Sequence, residues 1–124
     1  MKITTDYLLS LEACKSGIDA FSNLFPGGEA ELNSENLSKA RCGGLDIIWL
    51  IERIADQATL AKLSKDDDYW VRDGVSLNPN TPPATLAKLS KDKNLGVRVH
   101  VARNPAYTGS RGSALIATNE ELVR

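Results

Sequence analysis

The chain has 124 residues, of which 42% are hydrophobic and 25% are charged, and its net charge at neutral pH is −1. Residues 1–57 carry five basic and nine acidic side chains, whereas residues 58–124 carry ten and seven. This length and composition are typical of one globular domain, and the small basic excess of the second half falls short of a dedicated nucleic-acid-binding protein. The longest uninterrupted apolar run, Ile47–Ile51, is too short to span a membrane.

The N-terminal residues 1–55 predict a helical cap. Thr4 or Thr5 begins a first short helix, because a hydroxyl accepts a hydrogen bond from a free N–H of the first turn. A second helix has apolar residues at helical spacing and ends at Pro26-Gly27-Gly28. The alternating segment Glu29–Leu32 is compatible with an extended strand, but a single segment of this kind predicts no sheet.

A third helix begins at Asn33 or Ser34 and ends at Gly43-Gly44. The segment Leu45–Ala55 is apolar on most of its helical circumference, so it predicts a buried central helix. No basic segment followed by a long apolar run stands at the N-terminus, and we expect a cytoplasmic protein.

The remainder of the chain is repetitive. The string ATLAKLSKD at residues 58–66 returns at residues 84–92, and Val71-Arg72 and Asn78-Pro79 return 26 residues later as Val97-Arg98 and Asn104-Pro105. A period of this length predicts stacked supersecondary units. We therefore expect a single domain over residues 1–124, with repeat copies at 56–80 and 81–105 and a degenerate capping copy at 106–124.

Each copy predicts two helices, called A and B. Asp56 begins helix A of the first copy and Thr81, followed by Pro82-Pro83, begins that of the second; Asp68 and Asn94 begin the two B helices. Four apolar positions recur in both copies and are expected to form the core: Leu60, Leu63, Val71 and Val75, then Leu86, Leu89, Val97 and Val101.

The string N-P-x-T-P-x-x-x-L-x-x-L-x-x-D…V-R…V-x-x-N-P, from Asn78 to Pro105, resembles the leucine-rich repeat variant (LRV) and also HEAT-type repeats. The resemblance implies an all-α fold, a short right-handed α-solenoid of period 26 behind the N-terminal helical cap. LRV proteins also carry an iron–sulfur cluster on a cysteine-rich segment. Cys14 and Cys42 are fewer than the four thiolates such a cluster needs, so we predict no cofactor.

The N-terminal pattern Ala13-Cys14-x-x-Gly17-x-x-x-Phe21, followed by Phe25-Pro26-Gly27, resembles a segment of uncharacterised bacterial and prophage proteins. No activity comes with this resemblance. It suggests a small phage or mobile-element protein that binds and modulates a host protein.

Arg72, Arg98 and Arg124 are spaced at the repeat period, and stacking would align them in a column. If these arginines are exposed, they would bind an acidic partner or a phosphate backbone. If they are not, they form internal ion pairs with Asp66 and Asp92. We favour the ion pairs, because aligned like charges repel one another without counter-charges. The lysines Lys62, Lys65, Lys88 and Lys91 are expected on the solvent face of the A helices.

The two copies differ where a partner would be recognised. Tyr69-Trp70 stands opposite Leu95-Gly96 of the second copy, and Asp73 stands opposite Val99. The aromatic pair is either a binding hot spot or, as we favour, core filler against the central helix. The candidate partner-binding residues are Tyr69, Trp70, Arg72, Asp73, Arg98, Val99, His100, Arg103 and Arg124.

Catalytic and metal chemistry find little support. His100 is the only histidine, and no motif supplies a carboxylate or nucleophile to make it a general base. Cys14, Cys42 and His100 lack the spacing of a zinc site, so buried structural thiols are favoured over a redox or metal role. We predict a non-enzymatic scaffold that binds a protein partner through its repeat face, with nucleic-acid binding as the alternative and no membrane partner.

Overall fold

The computed structural model of the protein describes residues 1–109. These residues form eight helices, which account for 57% of them, and one two-stranded sheet. The chain divides into two compact units, an N-terminal unit of Met1–Ile47 and a C-terminal unit that begins at Ile48. The elements in chain order are β1 (Lys2–Thr4), α1 (Thr5–Ser10), α2 (Lys15–Leu24), β2 (Glu29–Glu31), α3 (Ser34–Cys42), α4 (Ile47–Ile51), α5 (Gln57–Leu63), α6 (Tyr69–Leu77), α7 (Pro83–Leu89) and α8 (Leu95–Arg103).

The small sheet corrects the all-α prediction. Strands β1 and β2 pair antiparallel, with Ile3 opposite Ala30, and the side chain of Ile3 is buried. The sequence did suggest an extended segment at Glu29–Leu32, but its partner strand has only three residues and comes about 27 residues earlier in the chain. Strands this short have no alternation long enough to be recognised from sequence.

The N-terminal unit confirms two predicted helix starts. The Thr4 hydroxyl accepts a hydrogen bond from the Tyr7 N–H at 3.0 Å, and the Asn33 side chain accepts one from Asn36 N–H at 2.9 Å. These bonds satisfy N–H groups that have no partner inside their own helices. Leu8, Phe21 and Leu37 contribute one buried apolar side chain from each of α1, α2 and α3.

The buried central helix predicted over Leu45–Ala55 is shorter than expected. Helix α4 ends at Ile51, after which Ile54 is still buried. The carbonyls of Ile51 and Ile54 accept hydrogen bonds from the Asn78 side chain at 2.8 and 2.7 Å. These bonds satisfy the carbonyls without a longer helix. Trp49 remains partly exposed, with the Arg53 guanidinium 4.3 Å from its ring centroid.

The two repeat copies fold into the same pair of helices. Helix α7 begins and ends 26 residues after α5, and α8 begins and ends 26 residues after α6. The predicted caps Asp56, Asp68 and Asn94 all accept hydrogen bonds from N–H groups of the first turn. Thr81 does not cap α7 as predicted, because its buried hydroxyl donates instead to the Val75 carbonyl at 2.7 Å.

The eight predicted core positions of the repeats are all buried. Helix α6 packs against α8, and each also packs against the A helix of its own copy. Gly74 makes the close approach to the preceding segment possible, because a Cβ built there would lie 2.8 Å from Ile51 Cβ. The predicted capping copy, residues 106–124, extends beyond the described part of the chain.

Asparagine side chains connect the copies. Asn78 bonds the carbonyls of Ile51 and Ile54, and Asn104 bonds those of Ser76 and Asn78 at 2.8 and 3.0 Å. Both amides are buried, and each also accepts a hydrogen bond from the backbone N–H two residues on. The asparagine of each Asn-Pro pair therefore joins successive segments. It also turns the chain, because Asn78 and Asn104 adopt the extended conformation expected before proline.

Candidate functional site

Helices α6 and α8 present one continuous set of side chains away from the core. In α6, Tyr69, Asp73 and Leu77 follow at four-residue spacing, and Leu95, Val99 and Arg103 follow in the same way in α8. Residues at this spacing share a helix side, and the other side of α6 is buried. We call this surface the α6/α8 face: Tyr69, Trp70, Asp73, Leu77, Leu95, Val99, His100 and Arg103.

The aromatic pair at the start of α6 is exposed. Tyr69 is 44% and Trp70 is 38% exposed, and their ring centroids lie 5.3 Å apart with planes tilted by 30°. The favoured interpretation of these rings as core filler is therefore wrong. They occupy the first two positions of the helix, where the chain enters from the linker and the core does not yet cover them.

Leu95 extends the apolar surface and was missed as a candidate. It is 50% exposed at the position in α8 that matches Tyr69 in α6. Next to it, Gly96 carries no side chain, and a Cβ built there would lie 3.1 Å from the side-chain oxygen of Asn94, a tight contact at the start of α8. The repeat offset could have identified Leu95, because it places an apolar residue where the first copy has an aromatic one.

Arg72 is buried in an ion pair. Its guanidinium contacts both carboxylate oxygens of Asp92, at 2.7 and 3.3 Å, and donates to the Asp66 and Asp67 carbonyls. The Arg72 and Asp92 side chains are each 8% exposed. The favoured interpretation is therefore confirmed for Asp92, whereas Asp66 contributes a backbone oxygen to Arg72.

Arg98 is also buried, with 2% of its surface exposed. Neither Arg72 nor Arg98 lies on the α6/α8 face. Both were predicted to contact a partner, but burial makes them inaccessible to it. The Arg72 side chain stabilises the linker between α5 and α6, because it donates to two carbonyls of that linker. Arg124 lies outside the described residues.

His100 and Asp73 form a hydrogen bond between α8 and α6. His100 Nδ1 donates to the Asp73 carboxylate, and both side chains are only partly exposed. This carboxylate partner of His100 could not be predicted, because Asp73 lies 27 residues away and no local motif contains both residues. The pair joins the two halves of the α6/α8 face and fixes the position of the imidazole.

The cysteines differ from the expectation of buried thiols, since both Cys14 and Cys42 are free and exposed. Two hydrogen bonds lower the pKa of the Cys14 thiol. The bond with the Ser16 hydroxyl has the larger effect, and the bond from the Gly17 backbone N–H has the smaller one. Cys14 directly precedes α2, where N–H groups without helical partners are available. The described residues contain no cluster of three or more histidine, cysteine or acidic side chains that could hold a metal.

Comparisons of the chain with family models, with curated proteins and with solved structures found no match. The resemblance to LRV and HEAT repeats thus stays a prediction. Among the described residues, no helix has the length and apolar character needed to cross a membrane.

Proposed function

We propose that the protein is a non-enzymatic, protein-binding scaffold, in which the copies form a short right-handed α-solenoid and the α6/α8 face binds a macromolecular partner. The observation that carries this proposal is the exposure of Tyr69, Trp70 and Leu95 at the first positions of two helices that pack against each other. Tyrosine and tryptophan are enriched among the residues that dominate binding energies at protein interfaces.

The composition of the rest of the face supports the same conclusion. Leu77 and Val99 are partly exposed, and the charged residues are few. Aromatic and aliphatic side chains with few charges are typical of the buried part of a protein interface. A cytoplasmic phage or mobile-element protein that modulates a host protein remains our concrete version of this function.

Nucleic-acid binding is a second candidate, favoured by one observation. Lys62 and Lys88 are exposed on the A helices, as predicted, whereas Lys65 and Lys91 are exposed on the linkers that follow; both pairs recur at the repeat period. The burial of Arg72 and Arg98 removes the arginines from this surface. Binding through the lysines would weaken steeply between about 50 and 200 mM salt.

The test compares the chain with a Tyr69→Ser, Trp70→Ser variant and with Leu9→Ser as matched control, because Leu9 is an exposed apolar residue of the N-terminal unit. Proteins captured from a host extract by each form are quantified, and the strongest is purified and titrated against all three. We expect the double variant to weaken binding by about 10- to 100-fold and the control to leave it unchanged. Equal capture by the double variant, with its circular dichroism unchanged, would refute the proposal.

A further inference from the structure

The chemistry of the partner follows from the charges around the α6/α8 face. Several carboxylates next to the face are engaged within the chain. Asp66 accepts a hydrogen bond from Asp68 N–H at 2.9 Å, and Asp68 accepts one from Trp70 N–H at 3.0 Å. Asp92 accepts from Asn94 N–H and is neutralised by Arg72, while Asp73 is engaged by His100.

The cations beside the face are exposed. Lys65 lies on the linker that leads into α6, and Lys91 and Lys93 lie on the linker that leads into α8. Arg103 is exposed in the last turn of α8. None of these four side chains makes an ion pair within residues 1–109. Asp67 is the one exposed carboxylate on the same two linkers, since Asp66, Asp68 and Asp92 are partly buried.

We infer that the α6/α8 face binds an acidic peptide segment that carries apolar or aromatic side chains. The inference rests on the proposed function and names its partner class. Apolar anchors of the segment pack on the exposed side chains of Tyr69, Trp70 and Leu95. Its carboxylates lie near the lysines of the two linkers, where opposite charge accelerates and orients association.

Three observations favour a peptide over a single-stranded nucleic acid. The face includes the aliphatic side chains of Leu77, Leu95 and Val99, which give a base no flat surface to stack on. The rings of Tyr69 and Trp70 lie against each other, which leaves less ring face free for stacking. Arg72 and Arg98 are buried, so they are not available to a phosphate backbone.

The test is a selection of 12-residue random peptides on the full chain, followed by titration of the best peptide. We expect selected peptides to be enriched in Asp and Glu together with Trp, Phe or Leu. The Lys91→Glu, Lys93→Glu variant should weaken binding about tenfold or more, and so should Tyr69→Ser, Trp70→Ser. Lys15→Glu, a change of an exposed lysine in the N-terminal unit, serves as the control and should have no effect.

Each other outcome overturns a defined part of the argument. Selected peptides that bind the Tyr69→Ser, Trp70→Ser variant more weakly but are not acidic refute the acidic partner. Peptides that bind the Lys91→Glu, Lys93→Glu variant with unchanged affinity refute it too. Both outcomes leave the proposed function standing. Peptides that bind the aromatic variant as tightly as the original chain refute both. Tighter binding of a 12-nucleotide oligo(dT) than of any peptide also refutes both, and failure to select any peptide refutes the inference.

Discussion

Replacement of Asn78 by alanine tests the join between the first copy and the segment before it. The Asn78 side chain is 0% exposed and makes three hydrogen bonds, to the Ile51 carbonyl at 2.8 Å, the Ile54 carbonyl at 2.7 Å and the Asn80 N–H at 2.7 Å. A neutral bond of this kind contributes about 1 kcal/mol, and a buried group left without a partner costs about 1–3 kcal/mol. The substitution should therefore lower the free energy of unfolding by about 3–5 kcal/mol.

The measurement is urea denaturation followed by tryptophan fluorescence. Trp49 and Trp70 are the two tryptophans of the chain and both belong to the C-terminal unit, so their signal reports the unit that Asn78 stabilises. Since whole domains are stable by only about 5–15 kcal/mol, the shift in midpoint should be large. Asn78→Asp should be at least as destabilising at neutral pH, because it places a carboxylate oxygen against two carbonyls, and should recover partly when the carboxyl protonates in acid.

Asn80→Ala is the matched control, because Asn80 is exposed and bonds Asn78 through its backbone N–H. It should change the free energy of unfolding by less than about 0.5 kcal/mol. If Asn78→Ala cost no more than this control, the buried hydrogen bonds would not be what joins the two segments.

Three further predictions concern other parts of the molecule. Asp92→Asn removes the charge partner of the buried Arg72 and should lower the unfolding free energy by about 3–5 kcal/mol in the same assay; a loss below about 1 kcal/mol would show that the pair is dispensable. Gly74→Ala should destabilise by about 1–3 kcal/mol because its Cβ would lie 2.8 Å from Ile51 Cβ, and a stabilised variant would contradict the close approach. In a Cys42→Ser background, the pH dependence of the Cys14 alkylation rate should have a midpoint below that of the unfolded chain, because hydrogen bonds favour the thiolate. Ser16→Ala should raise that midpoint, and an unchanged midpoint would argue against the Ser16 contact.

The repeat allowed much of the C-terminal unit to be predicted from the sequence. An apolar residue that recurs in both copies indicates a core position. The recurrence of Leu60 as Leu86 and of Val75 as Val101 therefore distinguishes core positions from surface positions. The caps at Thr4, Asn33, Asp56, Asp68 and Asn94 were predictable too, since each depends on a side chain and an N–H two or three residues away, whereas Thr81 forms a buried hydrogen bond instead of a cap.

Contacts between distant residues could not be predicted in the same way. The pairing of β1 with β2 and the bond from His100 to Asp73 each join residues about 27 apart, without any local pattern that marks the partner. The exposure of Tyr69 and Trp70 was missed because their residue types favour burial. Their position at the very start of α6, beyond the reach of the core, decided the outcome instead.

The asparagine bonds have a consequence for how freely the sequence can change. Asn78 and Asn104 bond backbone carbonyls, which every residue type provides, so the join does not depend on which side chains the preceding segment carries. The start of a B helix can thus be Tyr69-Trp70 in one copy and Leu95-Gly96 in the next while the stacking geometry is retained. Substitutions at the exposed first positions of a B helix therefore leave these buried hydrogen bonds in place.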